Sequence, residues 1–339
     1  SVADKLFAIG CFSIGTNQVD GRAARLRGIP VFNAPFSNTR SVAELVIAEC
    51  ILLMRNIPVK NAAAHKGKWL KSASNSFEIR GKNLGIIGYG HIGSQVSILA
   101  EALGMNVYYY DIARKLSLGK AIACSTLEEL LSVAHVVTLH VPETPMTRNM
   151  ISKREIGLMR KGSCLINASR GSVVSIPDLV SALECEHILG AALDVFPEEP
   201  ASGGDPFVSE LRNFDNVILS PHIGGSTTEA QENIGTEVAE KLVRYSDIGD
   251  TIGATNFVQI SLQPNRKAQR FLHIHKNEPG LLKEVNYVFT SKGINIAAEY
   301  LQTDSEIGYV IIDTESKLGN NIIRELRSIK GTIRVRMLY

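Results

Sequence analysis

Six short apolar runs recur between residues 84 and 222: LGIIGYG (84–90), NVYYYD (106–111), VVTLHVP (136–142), CLINAS (164–169), GAALDVF (190–196) and NVILSPH (216–222). Helix-sized segments separate them. A strand that is apolar on both sides has no solvent face, so such runs belong to a parallel sheet covered by helices above and below. The spacing therefore predicts an α/β fold with a Rossmann-type, doubly wound parallel sheet.

The flanking segments follow other plans. STTEAQENIGTEVAEKLVRY reads as a helix, with Ser226 and Glu229 as a capping box and Ala230, Ile234, Val238 and Leu242 as one apolar stripe. Residues 249–268 lose periodicity and read as a linker. From 270 to 339 the pattern restarts as strand RFLHIH, a helix through Leu281 to Phe289, strands INIAAEYL and IGYVIID, a helix through IIRELRSI and strand TIRVRML. That βαββαβ order is a ferredoxin-like small domain. At the other end, KLFAIG and IPVFNAP read as strands around a helix in VDGRAARLRG. Two parallel strands cannot bury both faces alone. They are expected to need further strands, from chain preceding Ser1.

A length of 339 residues suits two or three domains. The net charge of +2 argues against a general nucleic-acid binder. No apolar run approaches the ~18–20 residues needed to span a bilayer, and SVADKLFAIG lacks the basic and apolar regions of a signal peptide. The five cysteines, Cys11, Cys50, Cys124, Cys164 and Cys185, show no metal-like spacing. Cysteines used as small apolar residues fit a reducing cytoplasm, and no metal is expected.

Gly88-Tyr89-Gly90-His91-Ile92-Gly93 follows an apolar strand and opens a helix. This is the context a dinucleotide fingerprint requires. Gly88 serves the turn, Gly90 lets a pyrophosphate approach, and Gly93 lets helix and strand pack closely. The helix N-terminus offers free N–H groups to the phosphates. Asp111 ends the next strand, where a carboxylate binds the ribose hydroxyls of NAD and repels a 2′-phosphate. Arg114 lies nearby and weakens that exclusion slightly.

Arg170, Asp194 with Glu199, and His222 all fall at or just beyond later strand ends, the edge where open α/β sheets bind ligands. The chemistry has a natural assignment. Hydride transfer between a carbinol carbon and nicotinamide needs a proton moved on or off oxygen, which His222 can do near neutral pH. Glu199 would orient the imidazole and favour its protonated form. Arg170 would hold a carboxylate and polarise the adjacent carbonyl. The expected substrate is a 2-oxo or 2-hydroxy carboxylate.

Together GYGHIG, INASRG, DVFPEEP and SPHIGGST resemble the D-isomer-specific 2-hydroxyacid dehydrogenases. With GCFSIGTNQVD and PFSNTRSVAE before them and the small domain after, the resemblance covers essentially the whole chain. It is to the regulated bacterial and fungal members that act on 3-phosphoglycerate. The resemblance implies Arg170, Glu199 and His222 as catalytic residues. It implies NAD contacts from His91, Ile92, Asp111, Ala168, Ser169, Arg170, Asp194, His222, Ile223, Gly224 and Gly225. Ile14 and Gly15 match a loop whose N–H groups hold the substrate carboxylate, and Asn38 lies near the cleft.

The same resemblance implies an ACT domain at the C-terminus, with L-serine as effector contacted by His275, Asn277 and Asn295 across a domain–domain interface. It implies a homotetramer. The domains expected are a discontinuous, flavodoxin-like substrate domain (1–37 and 225–265), an NAD-binding domain (38–224) and the ACT domain (266–339). Relatives carry an arginine-rich loop for the substrate phosphate before the part matched here. This chain alone is therefore expected to hold cofactor and to turn over slowly or not at all.

The expected reaction is oxidation of 3-phosphoglycerate to 3-phosphohydroxypyruvate, with serine feedback. Three readings compete with it: a dehydrogenase for another acid such as 2-hydroxyglutarate, a non-catalytic NAD-sensing binding protein, and a catalytically dead regulatory subunit. Trp69, in KGKWLKSAS, is expected either to pack against a partner subunit or to anchor its own loop.

Overall fold

The computed structural model describes residues 5–200, 204–265, 268–315 and 318–338. The expected start of the ACT domain, at 266, falls outside the described residues, as does Ser1. The chain divides into two compact units, one of Asn38–Gln231 and the other of Ser1–Ser37 with Glu232–Tyr339.

In the first unit the apolar runs form a parallel sheet. Its spatial order is Ile122–Ala123, Asn106–Tyr110, Asn83–Ile87, Val136–Leu139, Ser163–Asn167, Ile188–Leu193 and Val217–Leu219. The sheet grows outward in both directions from Asn83–Ile87 and Val136–Leu139, and this reversal creates a crevice at the strand C-termini. Alternate side chains feed two cores. Ile87, Val137 and Leu165 pack with Leu130, Leu131, Ile151 and Leu179 on one side. Ile86, Val136, Cys164 and Ile166 pack with Val46, Cys50, Val96 and Ala100 on the other.

The sheet has one strand more than the six apolar runs suggest. Ile122–Ala123 is a two-residue edge strand, and Ile122 is 52% exposed. Such a strand buries too little to leave an apolar run. The helix after the sheet spans Thr228–Ile248, so its cap is Thr227 and not Ser226. The Thr227 hydroxyl accepts from the Ala230 N–H at 3.2 Å.

The second unit holds two sheets. Ile9–Gly10 and Val31–Phe32 pair in parallel. The helix Gly21–Leu26 lies between them in sequence, capped by Asp20 accepting from the Ala23 N–H. The C-terminal sheet is antiparallel, in the order Ile296–Thr303, Ile307–Thr314, Gln269–Lys276, Thr332–Leu338. Helices Leu281–Thr290 and Asn320–Ser328 cover one face, through Val285, Phe289, Ile322 and Leu326 against Phe271, Val310 and Ile312. This is the βαββαβ fold.

Its other face, Leu272, Ile274, Tyr309 and Ile311, packs against Phe32, Tyr245, Phe257, Ile260 and Leu262. The described part of the expected linker, 249–265 and 268, is therefore not loose; 266–267 lie outside the described residues. Phe257, Val258, Ile260 and Leu262 are buried, and their extended, aperiodic run covers a sheet face.

Candidate active site

The glycine loop follows Asn83–Ile87 and opens the helix His91–Ala102. Gly88 has φ +92°, and a Cβ there would stand 2.3 Å from the His140 carbonyl oxygen. At Gly93 a Cβ would meet the Gly88 carbonyl oxygen at 2.2 Å. Both glycines are required by the turn and by close packing. Gly90 is different, because nothing lies within 4 Å of a Cβ built on it. The space before the helix N-terminus is open there, so the loop fits a dinucleotide's pyrophosphate.

Asp111 sits at the tip of Asn106–Tyr110. Its carboxylate accepts from the Tyr89 N–H at 2.9 Å and the Ala113 N–H at 2.8 Å. These bonds fix the carboxylate beside the glycine loop and leave acceptor capacity for two ribose hydroxyls.

Arg170 follows Ser163–Asn167. Asn167 organises this tip, as its Oδ1 accepts from the Ser169 N–H and hydroxyl while its Nδ2 donates to the Arg170 carbonyl. The next residue must be glycine, since a Cβ on Gly171 would lie 1.9 Å from the Phe196 carbonyl carbon. The Arg170 guanidinium donates to the Ser169 carbonyl at 2.6 Å and has no other hydrogen-bond partner among the described residues.

Asp194, at the end of Ile188–Leu193, is 2% exposed. It accepts from the Ser220 hydroxyl at 2.7 Å, the Ile223 N–H at 2.8 Å and the Gly224 N–H at 2.7 Å. The turn that carries His222 is thereby pinned in place. His222 takes φ +54°, a left-handed backbone unusual outside glycine. Its Nδ1 lies 2.8 Å from Glu199 Oε2. Glu199 is held in turn by the Phe196 N–H, which donates to Oε1 at 3.2 Å. With Nδ1 donating to the carboxylate, Nε2 is the atom left to exchange a proton with a ligand.

The pair also borders a cavity of about 560 Å³ lined by Phe196, Phe207 and Leu219. Neither Arg170 nor the glycine loop lines that cavity, so it is not the coenzyme groove.

Asn38 packs on the same turn. A Cβ on Gly225 would stand 2.3 Å from Asn38 Nδ2, and the buried Asn38 Oδ1 has no hydrogen-bond partner among the described residues. Asn167 and Asp194 are the two organisers of the site. Sequence reasoning missed the first altogether and read the second as a coenzyme contact. Their signal is a polar residue at the end of a buried strand or directly after it.

Ile14 and Gly15 lie in the second unit. Their carbonyls are tied back, Ile14 accepting from Asn33 Nδ2 and Gly15 from the Ser13 hydroxyl. Their N–H groups have no partner among the described residues.

The three residues expected to bind serine do not converge within one chain. His275 pairs with Gly308 at one end of the antiparallel sheet. Asn295 precedes Ile296, which pairs with Thr314 at the other end. Six residues of strand put them roughly 20 Å apart. Asn277 lies near His275 and donates to the Asp304 carbonyl. Trp69 is 87% exposed, so it does not anchor its own loop.

Comparison with known proteins fits this geometry. Residues 47–224 match the NAD binding domain of the D-isomer specific 2-hydroxyacid dehydrogenases, and 271–334 match an AHAS small subunit-like ACT domain. The chain is 60% identical over 341 residues to D-3-phosphoglycerate dehydrogenase of Escherichia coli K12, covering 100% of this chain and 83% of that protein. It is 47% identical over 352 residues to D-3-phosphoglycerate dehydrogenase 1 of Saccharomyces cerevisiae, covering 99% and 75%.

Among solved structures, D-lactate dehydrogenase with NAD+ from Lactobacillus jensenii superposes with a TM-score of 0.67 at 28% identity, over 77% of this chain and 81% of that one. The family model spans more than half of the chain and the relatives match it from end to end, so the chain belongs to the D-isomer-specific 2-hydroxyacid dehydrogenases.

Proposed function

We propose that the chain is an NAD-dependent dehydrogenase that oxidises 3-phospho-D-glycerate to 3-phosphohydroxypyruvate, the first step of L-serine biosynthesis. The observation that carries the chemistry is the 2.8 Å contact between His222 Nδ1 and Glu199. The substrate follows from the relatives named above, at 47–60% identity.

When bound, NAD supplies the hydride acceptor. His222 takes the substrate hydroxyl proton at Nε2 while the hydrogen on C2 leaves with its electron pair, so the carbinol becomes a carbonyl. Glu199 holds the ring in the tautomer that leaves Nε2 unprotonated and stabilises the imidazolium that forms. In the reverse direction the same nitrogen returns the proton. Arg170 offers its planar fork to the carboxylate and the adjacent oxygen. Ile14 and Gly15 offer N–H groups to a carboxylate, and Asn38 is a further substrate contact. Gly88, Gly90, His91, Ile92 and Gly93 receive the coenzyme's phosphates and Asp111 its adenosine ribose. Ala168, Ser169 and the His222–Gly225 turn flank its nicotinamide end.

The ACT domain is proposed as the site of L-serine feedback. Because His275 and Asn295 are separated within one chain, a joint contact needs a second copy, which supports self-association and, by extension, a homotetramer. The exposed Trp69 suits a place in such an interface. A cytoplasmic setting fits the buried free thiols of Cys11, Cys50, Cys124 and Cys164; Cys185 is exposed. Among the described residues no helix is long and apolar enough to cross a membrane.

The test is NADH oxidation by the protein with 3-phosphohydroxypyruvate and with 2-oxoglutarate, titrating L-serine. Faster turnover of the phosphorylated acid, suppressed by serine, is expected. Preference for 2-oxoglutarate would overturn the substrate, and indifference to serine would overturn the effector.

A further inference from the structure

The parallel sheet has a second charged edge, opposite the coenzyme groove. A cavity of about 280 Å³ opens near the starts of Asn83–Ile87, Val136–Leu139, Ser163–Asn167 and Ile188–Leu193. Five residues of strand, about 16 Å, separate it from the glycine loop and Arg170. Lys82, His135, Arg160, Lys161 and Ser163 line it, and no carboxylate does. Among the described residues none of the three long cations has an ion-pair partner.

Local structure aims these groups together. Arg160 to Ser163 form a turn in which the Ser163 N–H donates to the Arg160 carbonyl at 3.0 Å. Gly162 supplies the left-handed residue, at φ +79°. The turn sets Arg160 and Lys161 at the cavity rim.

His135 Nδ1 accepts from the Asn83 N–H at 3.0 Å, which places the proton of the neutral ring on Nε2. Burial first, and then the nearby Arg160 and Lys82 charges, hold its pKa below the usual histidine value. The Lys82, Arg160 and Lys161 charges and the His135 Nε2–H all donate hydrogen bonds. A ligand that satisfies them must be small, acceptor-rich and multiply negative.

We propose that this cavity binds a phosphate dianion, free or carried by a small phosphomonoester, at a site separate from the coenzyme groove. Arg160 offers a fork to two oxygens, Lys82 and Lys161 add point charges, and the His135 Nε2–H completes the donor set around a tetrahedral group. The volume admits a phosphate with a few carbon atoms and excludes a dinucleotide.

The test is lysine acylation of the full chain saturated with NADH, read residue by residue by mass spectrometry. The probes are inorganic phosphate, glycerol phosphate and chloride at matched ionic strength. Phosphate or glycerol phosphate is expected to slow labelling of Lys82 and Lys161 several-fold while leaving exposed Lys153 unchanged. The stronger protector of the two identifies the source. Protection should vanish in Arg160→Gln, a substitution at an exposed side chain. Equal labelling in phosphate and chloride, or undiminished protection in Arg160→Gln, would overturn the site. NADH is present in every arm and the readout is local, so failure of the dehydrogenase reading would leave this result interpretable.

Discussion

Arg270 and Arg170 belong to different units and use the same side chain in opposite ways. Arg270 is 1% exposed. It meets Asp313 with two prongs, at 2.6 and 2.7 Å, and donates to the carbonyls of Ile248 at 2.9 Å and Gln263 at 3.3 Å. Its donors are consumed in joining a strand of the antiparallel sheet to the end of a helix and to the segment that covers that sheet. Arg170 is half-buried, and among the described residues the one hydrogen bond from its guanidinium runs to the carbonyl of its neighbour Ser169. A charge whose valences are filled by the protein is part of the fold. A charge held in place with its fork open is prepared for a ligand.

The largest effect should come from breaking the filled pair. Arg270→Met leaves Asp313 buried and unpaired, and urea denaturation should show a loss of about 3–5 kcal/mol. Arg270→Met with Asp313→Leu should recover most of it, because an apolar pair of similar volume carries no stranded charge. A loss under about 1 kcal/mol in the single variant would dissolve the contrast.

Arg170→Lys should do the reverse. Stability should stay within about 0.5 kcal/mol of the parent. The specificity constant kcat/KM should fall about 10–100-fold, the scale of a lost hydrogen bond to a charged group. Glu199→Gln is expected to be milder. The amide oxygen can still accept from Nδ1, but the hydrogen bond is no longer charge-assisted, and kcat/KM should drop about tenfold.

Glu49 sharpens the comparison from a third side. It lies on the helix Thr39–Met54, 2% exposed, and neither carboxyl oxygen has a partner among the described residues. Burial, with the Asp194 charge adding to it, pushes its pKa up to about 8. Between the ordinary carboxylate range and about pH 8 the native chain keeps a proton that the unfolded chain has released. The native state binds more protons there, so this residue's contribution to stability is full at acid pH and is lost as pH rises through about 8. Glu49→Gln should flatten that part of the stability–pH curve, and an unchanged slope would show that the carboxyl is already ionised.

Much of this was legible in the sequence, for physical reasons that also explain the gaps. A strand buried on both faces must be apolar throughout, so the six long strands announced themselves. The edge strand Ile122–Ala123 buries little and left no such mark. Residues 249–268 looked like a linker because the run 257–262, which lies across a sheet, has no period, although Phe257 and Leu262 are buried. Thr227 caps its helix one residue from the expected Ser226, since both carry a hydroxyl and only the backbone decides between them.

At the site, Arg170, Glu199 and His222 stood out because ionisable residues at the tips of buried strands have few structural uses. Asn167 was missed, and for Asp194 and Asn38, which were placed at the site, the structural partners were hidden. Their partners are set by turns that bring Asp194 to the Gly224 N–H and Asn38 to Gly225, and local patterning does not encode such contacts.

The central claim is that His222, held by Glu199, moves the proton in an NAD-linked reaction. The most direct test is the rate of NADH oxidation with 3-phosphohydroxypyruvate for the parent and for His222→Asn, with NADH affinity measured on both. Turnover by the parent, reduced by about 10²–10⁴-fold in the variant with NADH binding retained, is the predicted result. A variant as fast as the parent, or a parent that binds NADH without turnover, would contradict the account.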